Sequence, residues 1–258
     1  MWRHLGHSLQ GASHRAEDSP CQDSHAVRVL GDSPDCSLIA CVADGAGSAK
    51  YGGEGSAIVC EGIVENASAY FDSFGNFDAL QAEEVESWCD DARETIKVDA
   101  ELRGCEAREF ATTLCAAIVS PTRSYFFQIG DGAMILGCNG IYGVVFWPQS
   151  GEYANSTNFL TAKHYRDHLQ FLTVTSQIAD LALFTDGIER LALLFDSQTP
   201  HPPFFEPLFH TLRSTDNPHE LSDDFSKFLQ SDSITARSDD DKTLVLASHV
   251  SAEIGRHV

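Results

Sequence analysis

Short apolar runs rich in valine, isoleucine and phenylalanine recur along the chain between turn signals, which is typical of β-strands. We predict strands over 37–42, 114–119, 125–129, 141–147, 181–184 and 243–247. Two consecutive stretches, 58–71 and 80–96, have helical spacing instead, because their apolar residues fall on one helical face. A third helix is predicted over 221–229, after Pro218.

The order of these elements favours one fold class. The two long helices are consecutive and the strands are grouped on either side of them, so strands and helices do not alternate as in a doubly wound fold. No repeat and no low-complexity linker divides the chain, and its 43% hydrophobic content is typical of a packed protein. We therefore expect residues 1–258 to form a single α+β domain with layered sheets and helices.

Charge and cysteine usage exclude several classes of function. The chain carries 17 Lys and Arg against 38 Asp and Glu, a formal charge of -21, so it should repel nucleic acid and anionic lipid. Neither is an expected partner. The first residues lack the apolar run of a secretory signal, and no uncharged stretch resembles a membrane span, so we expect a cytoplasmic protein. The eight cysteines are scattered without any Cys-x-x-Cys pair, which indicates reduced thiols in the core.

Acidic residues mark the ends of the predicted strands. Asp44, Asp131 and Asp186 each follow an apolar run directly and are each followed by glycine. Three consecutive aspartates, 239–241, precede the last strand. Carboxylates that converge on one point repel each other unless cations neutralise them, and ligand sets made only of oxygen favour Mg²⁺ or Mn²⁺. A single Asp-Gly pair is usually a hairpin turn, so this pattern alone indicates only a candidate metal site.

Seven short phrases of the sequence, taken in order, point to a known family. They lie at 11–14, 21–23, 42–48, 111–114, 129–133, 184–188 and 240–244. Together they resemble the metal-dependent protein phosphatases of type 2C, most closely the compact bacterial branch. The resemblance implies a four-layer α-β-β-α sandwich, in which two antiparallel sheets are flanked by helices and metals are bound at one end.

The same resemblance implies a set of metal ligands. They are Asp23, Asp44, the backbone carbonyl of Gly45, Asp131, Asp186 and Asp240. Asp44 would bridge two central ions, and Asp23 would be a ligand or hold a metal-bound water. Asp186 and Asp240 would bind the second ion, and Asp131 would help to hold a weaker third one. Whether Asp240 or one of its two aspartate neighbours is the ligand stays open.

The implied activity is that of a protein serine/threonine phosphatase. In that mechanism a hydroxide held between two Mn²⁺ or Mg²⁺ ions attacks the phosphorus of phosphoserine or phosphothreonine. The expected partners are a phosphorylated protein substrate and a serine/threonine kinase. Residues 139–180 correspond to a variable flap beside the site. Its candidate substrate-facing residues are Tyr153, Asn158, His164, Tyr165 and His168.

Two helper residues of animal relatives are missing from their usual places. The arginine that grips phosphate there is replaced by Asp18, and Arg15 is either its substitute or a solvated surface residue. The proposed general-acid histidine is replaced by Ala46. His14, in a segment predicted to be extended, is either its substitute or a structural histidine.

These departures leave alternatives open. One is a catalytically weak or silent relative that uses the same fold to bind or regulate a partner. Another is a metal-stabilised domain that hydrolyses a small phosphate ester.

Overall fold

The chain folds into two stacked antiparallel sheets with helices outside them. The computed structural model describes residues 1–32, 35–138, 140–149 and 157–250. The strands are β1 Trp2–Leu9, β2 Asp23–Leu30, β3 Ser37–Asp44, β4 Leu114–Val119, β5 Ser124–Ile129, β6 Ala133–Cys138, β7 Ile141–Val144, β8 Gln170–Val174, β9 Asp180–Phe184, β10 Leu193–Leu194, β11 Thr199–Pro200 and β12 Lys242–His249. The helices are α1 Ala12–Ala16, α2 Gly52–Phe74, α3 Ala82–Arg103, α4 Asp186–Ala192, α5 Pro202–Ser214, α6 Ser222–Leu229 and α7 Asp232–Thr235.

Each large sheet has five strands, and every pairing is antiparallel. One sheet has the order β1-β12-β9-β6-β7 and the other β2-β3-β4-β5-β8, while β10 and β11 form a separate two-stranded ribbon. Apolar side chains of both sheets, such as Phe126 and Val245, pack together in a core between them. Helices α2 and α3 cover the outer face of the second sheet, and α4, α5 and α6 cover the first. The predicted four-layer α-β-β-α sandwich is confirmed.

Local signals set the limits of the two long helices. Helix α2 ends at Gly75, whose φ of 75° is left-handed and therefore suits glycine. Helix α3 begins with a capping box between Gln81 and Glu84 and ends at Gly104, which is also left-handed. The predicted second helix therefore starts two residues later than its apolar pattern indicates, because the cap fixes its first turn.

The strands missing from the prediction lie mainly at sheet edges. Strands β1, β2 and β8 are the edges of their sheets, and most of their residues are only partly buried. They therefore lack the continuous apolar run by which a strand is identified. Strand β7, another edge, ends at Val144 and is shorter than predicted. Strand β6 is an interior strand that the prediction also misses, although it is mostly apolar.

Two further expectations concern the whole chain. None of the helices in the described ranges is long and apolar enough to cross a membrane. All eight cysteines belong to those ranges and carry free thiols, and five of them are buried.

The core between the sheets should contribute strongly to stability. Phe126 is fully buried there, so we expect Phe126→Ala to lower the free energy of unfolding by about 3–5 kcal/mol, through lost burial and the cavity left behind. Denaturant unfolding monitored by circular dichroism measures this change. Leu102→Ala is the matched control: Leu102 is 80% exposed, so its loss should change stability by less than about 0.5 kcal/mol. A Phe126→Ala variant as stable as this control would contradict the assignment of the core.

Candidate active site

Two aspartates meet at one end of the second sheet. Strand β2 begins at Asp23 and β3 ends at Asp44, and the register of the pair places these residues opposite each other. Asp23 is buried, and the Thr185 hydroxyl donates a 2.7 Å hydrogen bond to its Oδ2 atom. The Thr243 hydroxyl donates to the Ser8 hydroxyl at 2.7 Å, and the Thr243 N–H donates to the Thr185 hydroxyl at 3.1 Å. Thr185, which follows β9 of the first sheet, therefore holds an aspartate of the second sheet.

Three further aspartates come from turns at the same end of the sandwich. Asp131 lies in the turn between β5 and β6, Asp186 is the first residue of α4 directly after β9, and Asp240 precedes β12. Because β6, β9 and β12 are neighbours in the first sheet, their ends lie close together. All three carboxylates interact electrostatically with Asp44. We call Asp23, Asp44, Asp131, Asp186 and Asp240 the carboxylate cluster.

Burial and mutual repulsion disfavour the charged form of these groups. Desolvation, followed by the charges of Asp23 and Asp186, raises the pKa of Asp44 well above its usual value. Burial is also the main reason why the pKa of Asp186 rises to about 8 and that of Asp23 to about 7. Desolvation likewise raises the pKa of Asp131.

A sixth acid lies beside the cluster. Glu189, in the first turn of α4, has a pKa raised to about 7 by burial and then by the charge of Asp131. The sequence reasoning missed it. Its position three residues after Asp186, on the same side of a helix, is the signal that could have indicated it.

The cluster has the donor chemistry of a site for hard divalent cations. Its ligand atoms are oxygens, and no ion pair among the described residues includes any of its five carboxylates. One Asp131 oxygen is buried without a hydrogen-bond partner, while the other accepts from Thr157. Within the described ranges, no three acidic, histidine or cysteine side chains are arranged so that they could hold a metal ion as they stand. The fit of the cluster to a cation therefore rests on its charge and donor type and not on a preformed set of ligands.

Gly45 joins the cluster to the start of α2. Its N–H donates to the Gln22 carbonyl at 3.1 Å, and its backbone pairs with Thr112. A Cβ added at Gly45 would lie 2.2 Å from the backbone carbon of Gly52. Only glycine allows this approach, which accounts for the glycine that follows Asp44 in the sequence.

The three consecutive aspartates have different surroundings. Asp240 is exposed, and its charge contributes to the raised pKa values of Asp44, Asp131 and Asp186. Asp241 is buried, and its two oxygens accept N–H bonds from Gly11 and Gln22, both at 2.6 Å.

Asp239 is also exposed, and its carbonyl accepts the N–H and hydroxyl bonds of Ser13. Of the three aspartates, Asp240 is the one whose charge acts on most of the cluster. The structural role of Asp241 was missed, because three adjacent aspartates look alike in sequence.

His14 lies on a helix rather than in an extended segment. The prediction of an extended segment was wrong, because the Gly11 and Ser13 N–H groups bond to the loop before β12 and turn the chain into α1. His14 Nδ1 lies 2.8 Å from Asp241 Oδ2. Its Nε2 faces the loop after Asp44, 3.9 Å from where a Cβ at Gly47 would lie.

Arg15 forms no ion pair with an acidic residue in the described part of the chain. It is exposed, and its Nη1 donates to the Gln10 carbonyl at 2.5 Å. Burial lowers the pKa of Lys242, and the positive charge of Arg15 lowers it further. Arg15 thus lies at the edge of the loop that carries Asp240.

The flap region is only partly described. Tyr153 lies outside the described residues, as do 139 and 150–156. His164 and His168 are exposed, and the Asn158 amide donates to the Gln149 side chain at 3.3 Å.

Tyr165 is not substrate-facing as expected. It is buried, its hydroxyl donates to Asp90 at 2.6 Å, and the Arg93 guanidinium lies over its ring. The side chain therefore fastens this segment to α3.

Comparison with known proteins assigns the family. The family described as protein phosphatase 2C matches residues 10–230 of the chain. The chain belongs to the protein phosphatase 2C family. It is 36% identical over 255 residues to serine/threonine-protein phosphatase 3 of Escherichia coli strain K12, which covers 95% of this chain and 98% of that protein. The predicted membership of the type 2C family and the predicted class of enzyme, a protein serine/threonine phosphatase, are therefore confirmed.

Solved structures of other proteins share the fold. The catalytic domain of PstP in complex with two manganese ions matches with a TM-score of 0.60 at 17% identity, covering 96% of this chain and 97% of that one. RsbX in complex with magnesium matches with a TM-score of 0.56 at 20% identity, covering 96% and 94%. At these identities the matches support the sandwich fold alone.

The raised pKa values predict how stability depends on pH. An aspartate carboxyl that titrates at about 7 or about 8 in the folded state, and near its ordinary value of about 4 in the unfolded chain, binds more protons when folded. In chelator, the melting temperature of this phosphatase should therefore fall as pH rises from about 5 to 8, which differential scanning calorimetry measures.

Mn²⁺ should reverse this loss. At a hundredfold excess over Kd it should add about 2.7 kcal/mol at pH 8, or about 5–10 °C for a chain of this size. In the control Asp186→Asn, one repelling charge is removed, so the chelated protein should melt higher at pH 8 and gain less from Mn²⁺. A melting temperature indifferent to both pH and Mn²⁺ would contradict the repulsion described above.

Proposed function

We propose that this chain is a metal-dependent phosphatase that hydrolyses phosphoserine and phosphothreonine in proteins. The observation that carries the proposal is the carboxylate cluster, in which five acidic side chains converge without a cationic side chain paired to any of them in the described ranges. We propose that two Mn²⁺ or Mg²⁺ ions, with a third held near Asp131, supply the missing positive charge. PstP in complex with two manganese ions and RsbX in complex with magnesium support this choice of metals.

Each member of the cluster has a role suited to its position. Asp44 would be shared between the two central ions, together with the Gly45 carbonyl, and its electrostatic interaction with the other four aspartates supports this role. Asp23, which accepts the Thr185 hydroxyl, would be a ligand or the acceptor of a bound water. Asp186 and Asp240 would bind the second ion, and Asp131 would help to bind a third.

The chain's own residues then handle phosphate and protons. Divalent cations bound here would activate a water molecule and offset the charge on the phosphate oxygens. His14 is the residue placed to give a proton to the departing serine or threonine oxygen, because its Nε2 faces the loop after Asp44. Arg15, exposed at the edge of the site, is the candidate that attracts the substrate phosphate.

The proposal extends to organisation and partners. We take residues 1–258 as one catalytic domain, with 139–180 as the flap. The substrate would be a phosphorylated protein. The partner would be a serine/threonine kinase, whose phosphorylated products this phosphatase would hydrolyse. A cytoplasmic location stays a prediction. A catalytically silent relative is not favoured, because the aspartates implied as ligands are all present and converge.

Replacing Asp44 tests the proposal. Asp44→Asn should lower the Mn²⁺-dependent release of phosphate from a phosphothreonine peptide by at least about 100-fold, because the ions stabilise the transition state by several kcal/mol and each 1.36 kcal/mol is tenfold in rate. Released phosphate is measured with malachite green, with chelator as the blank.

Neighbouring aspartates give a matched control. Asp240→Asn should reduce turnover as Asp44→Asn does, because the Asp240 charge acts on Asp44 and Asp186, whereas the exposed Asp239 should be replaceable by Asn with turnover retained. Wild-type protein without metal-dependent turnover, or full turnover in Asp44→Asn, would overturn the proposed function.

A further inference from the structure

Asp241 is the most deeply buried aspartate beside the site, and the proposed metal binding does not use it. It is 2% exposed and directly precedes β12, whereas the adjacent Asp240 is exposed. Its Oδ1 accepts the Gly11 N–H and its Oδ2 accepts the Gln22 N–H, both at 2.6 Å. No arginine or lysine in the described ranges pairs with it. A buried carboxylate with two charge-assisted hydrogen bonds and no cationic Lys or Arg still favours a further partner that can carry positive charge.

His14 is that partner. Its Nδ1 is buried, and Asp241 Oδ2 lies 2.8 Å away as an ion-pair contact. The side chain as a whole is 13% exposed, so its orientation is restricted by its surroundings. The 2.8 Å contact is an ion-pair contact only, because Nδ1 makes no hydrogen bond within the described ranges. The other ring nitrogen, Nε2, lies 3.9 Å from the position that a Cβ at Gly47 would take, in the loop that follows Asp44. The carboxylate and the loop are therefore next to different nitrogens of one imidazole ring.

We propose that Asp241 is a positioning residue that fixes His14 with its proton on Nδ1 and its Nε2 toward the substrate. The inference rests on the proposed phosphatase activity. A carboxylate facing one ring nitrogen fixes both the tautomer and the orientation of the ring. The cationic form of the ring carries a second proton, on Nε2. His14 can then act as the general acid for a leaving group that needs protonation.

The reaction moves one proton from His14 to the leaving oxygen of the substrate. Water supplies the oxygen that forms the new bond to phosphorus. The bond between phosphorus and the serine or threonine oxygen breaks, and its electron pair stays on that oxygen. This oxygen takes the Nε2 proton of His14, and the proton that the water loses restores the imidazolium. The products are the free hydroxyl side chain and inorganic phosphate.

Two substrates with different leaving groups separate positioning from a purely structural role. A phosphothreonine peptide releases an alkoxide that needs a proton, whereas p-nitrophenyl phosphate releases a stabilised phenolate that does not. General acid catalysis is worth about 10²–10⁴ in rate, so Asp241→Asn and His14→Asn should each lower kcat on the peptide by at least about 30-fold. On p-nitrophenyl phosphate both should lose less than about threefold, with KM for either substrate changed little. The double variant should be no slower than the slower single variant, because the two residues act as a unit.

A histidine outside the cluster provides the control. His201→Asn is a matched control, because His201 Nδ1 lies 3.0 Å from the Leu191 carbonyl, away from the cluster, and its loss should leave the ratio of the two activities unchanged. Asp241→Asn also removes an acceptor of two backbone N–H groups. If it does not fold, His14→Asn carries the kinetic test, and ¹⁵N NMR of wild-type His14 tests Asp241 directly.

We expect the neutral ring of His14 to carry its proton on Nδ1. Equal losses on both substrates, additive effects in the double variant, or a proton on Nε2 of the neutral ring would each overturn the role of Asp241. These outcomes differ from failure of the proposed function, in which wild-type protein would turn over neither substrate with Mn²⁺.

Discussion

Five carboxylates of like charge lie together at one end of this sandwich, and their repulsion is the constraint on which the rest of the structure depends. In the described ranges no lysine or arginine is paired with them, and their pKa values are raised first by burial and then by one another. Such a site is unfavourable for the isolated fold near neutral pH. The apolar cores between the sheets and under both helical layers must therefore hold it together.

Strand pairing and a hydrogen bond between the sheets prevent the repelling carboxylates from moving apart. The β2–β3 register holds Asp23 opposite Asp44 within one sheet. The hydrogen bond from Thr185 to Asp23 then joins that sheet to the other one at the site. Because the carboxylates of the cluster come from both sheets, the site exists only when the sheets are stacked. The site therefore requires the packing between the two sheets.

The loop before β12 shows how closely the backbone is packed around the cluster. A Cβ added at Gly187 would lie 1.9 Å from the Asp241 carbonyl oxygen, and one at Gly11 would lie 2.2 Å from the Asp240 carbonyl carbon. Glycine at these two positions lets α1 and α4 approach the same loop from two sides. The loop can then direct Asp240 toward the cluster and Asp241 toward His14. The two adjacent residues have different surroundings, because Asp240 is exposed in a bend and Asp241 is buried just before β12.

The sequence by itself determined most interior strands and the two long helices, and it predicted the donor chemistry of the site. Continuous apolar runs marked the interior strands β3, β4, β5, β9 and β12, and helical periodicity marked α2 and α3. Aspartates at strand ends, followed by glycine, indicated an oxygen-ligand site, since a strand end fixes a side chain and glycine allows the turn beside it.

Tertiary structure alone decided what surrounds those aspartates. Edge strands β1, β2 and β8 carry too few buried apolar residues to be identified without their neighbours. Thr185, Thr243 and Glu189 join the site through pairings between segments far apart in the chain, which local spacing does not encode. Asp241 and His14 are separated by most of the sequence and meet only because β12 closes the sheet beside α1. Local propensity is a property of neighbouring residues, whereas burial, charge repulsion and hydrogen bonding at the site depend on distances that only the complete fold sets.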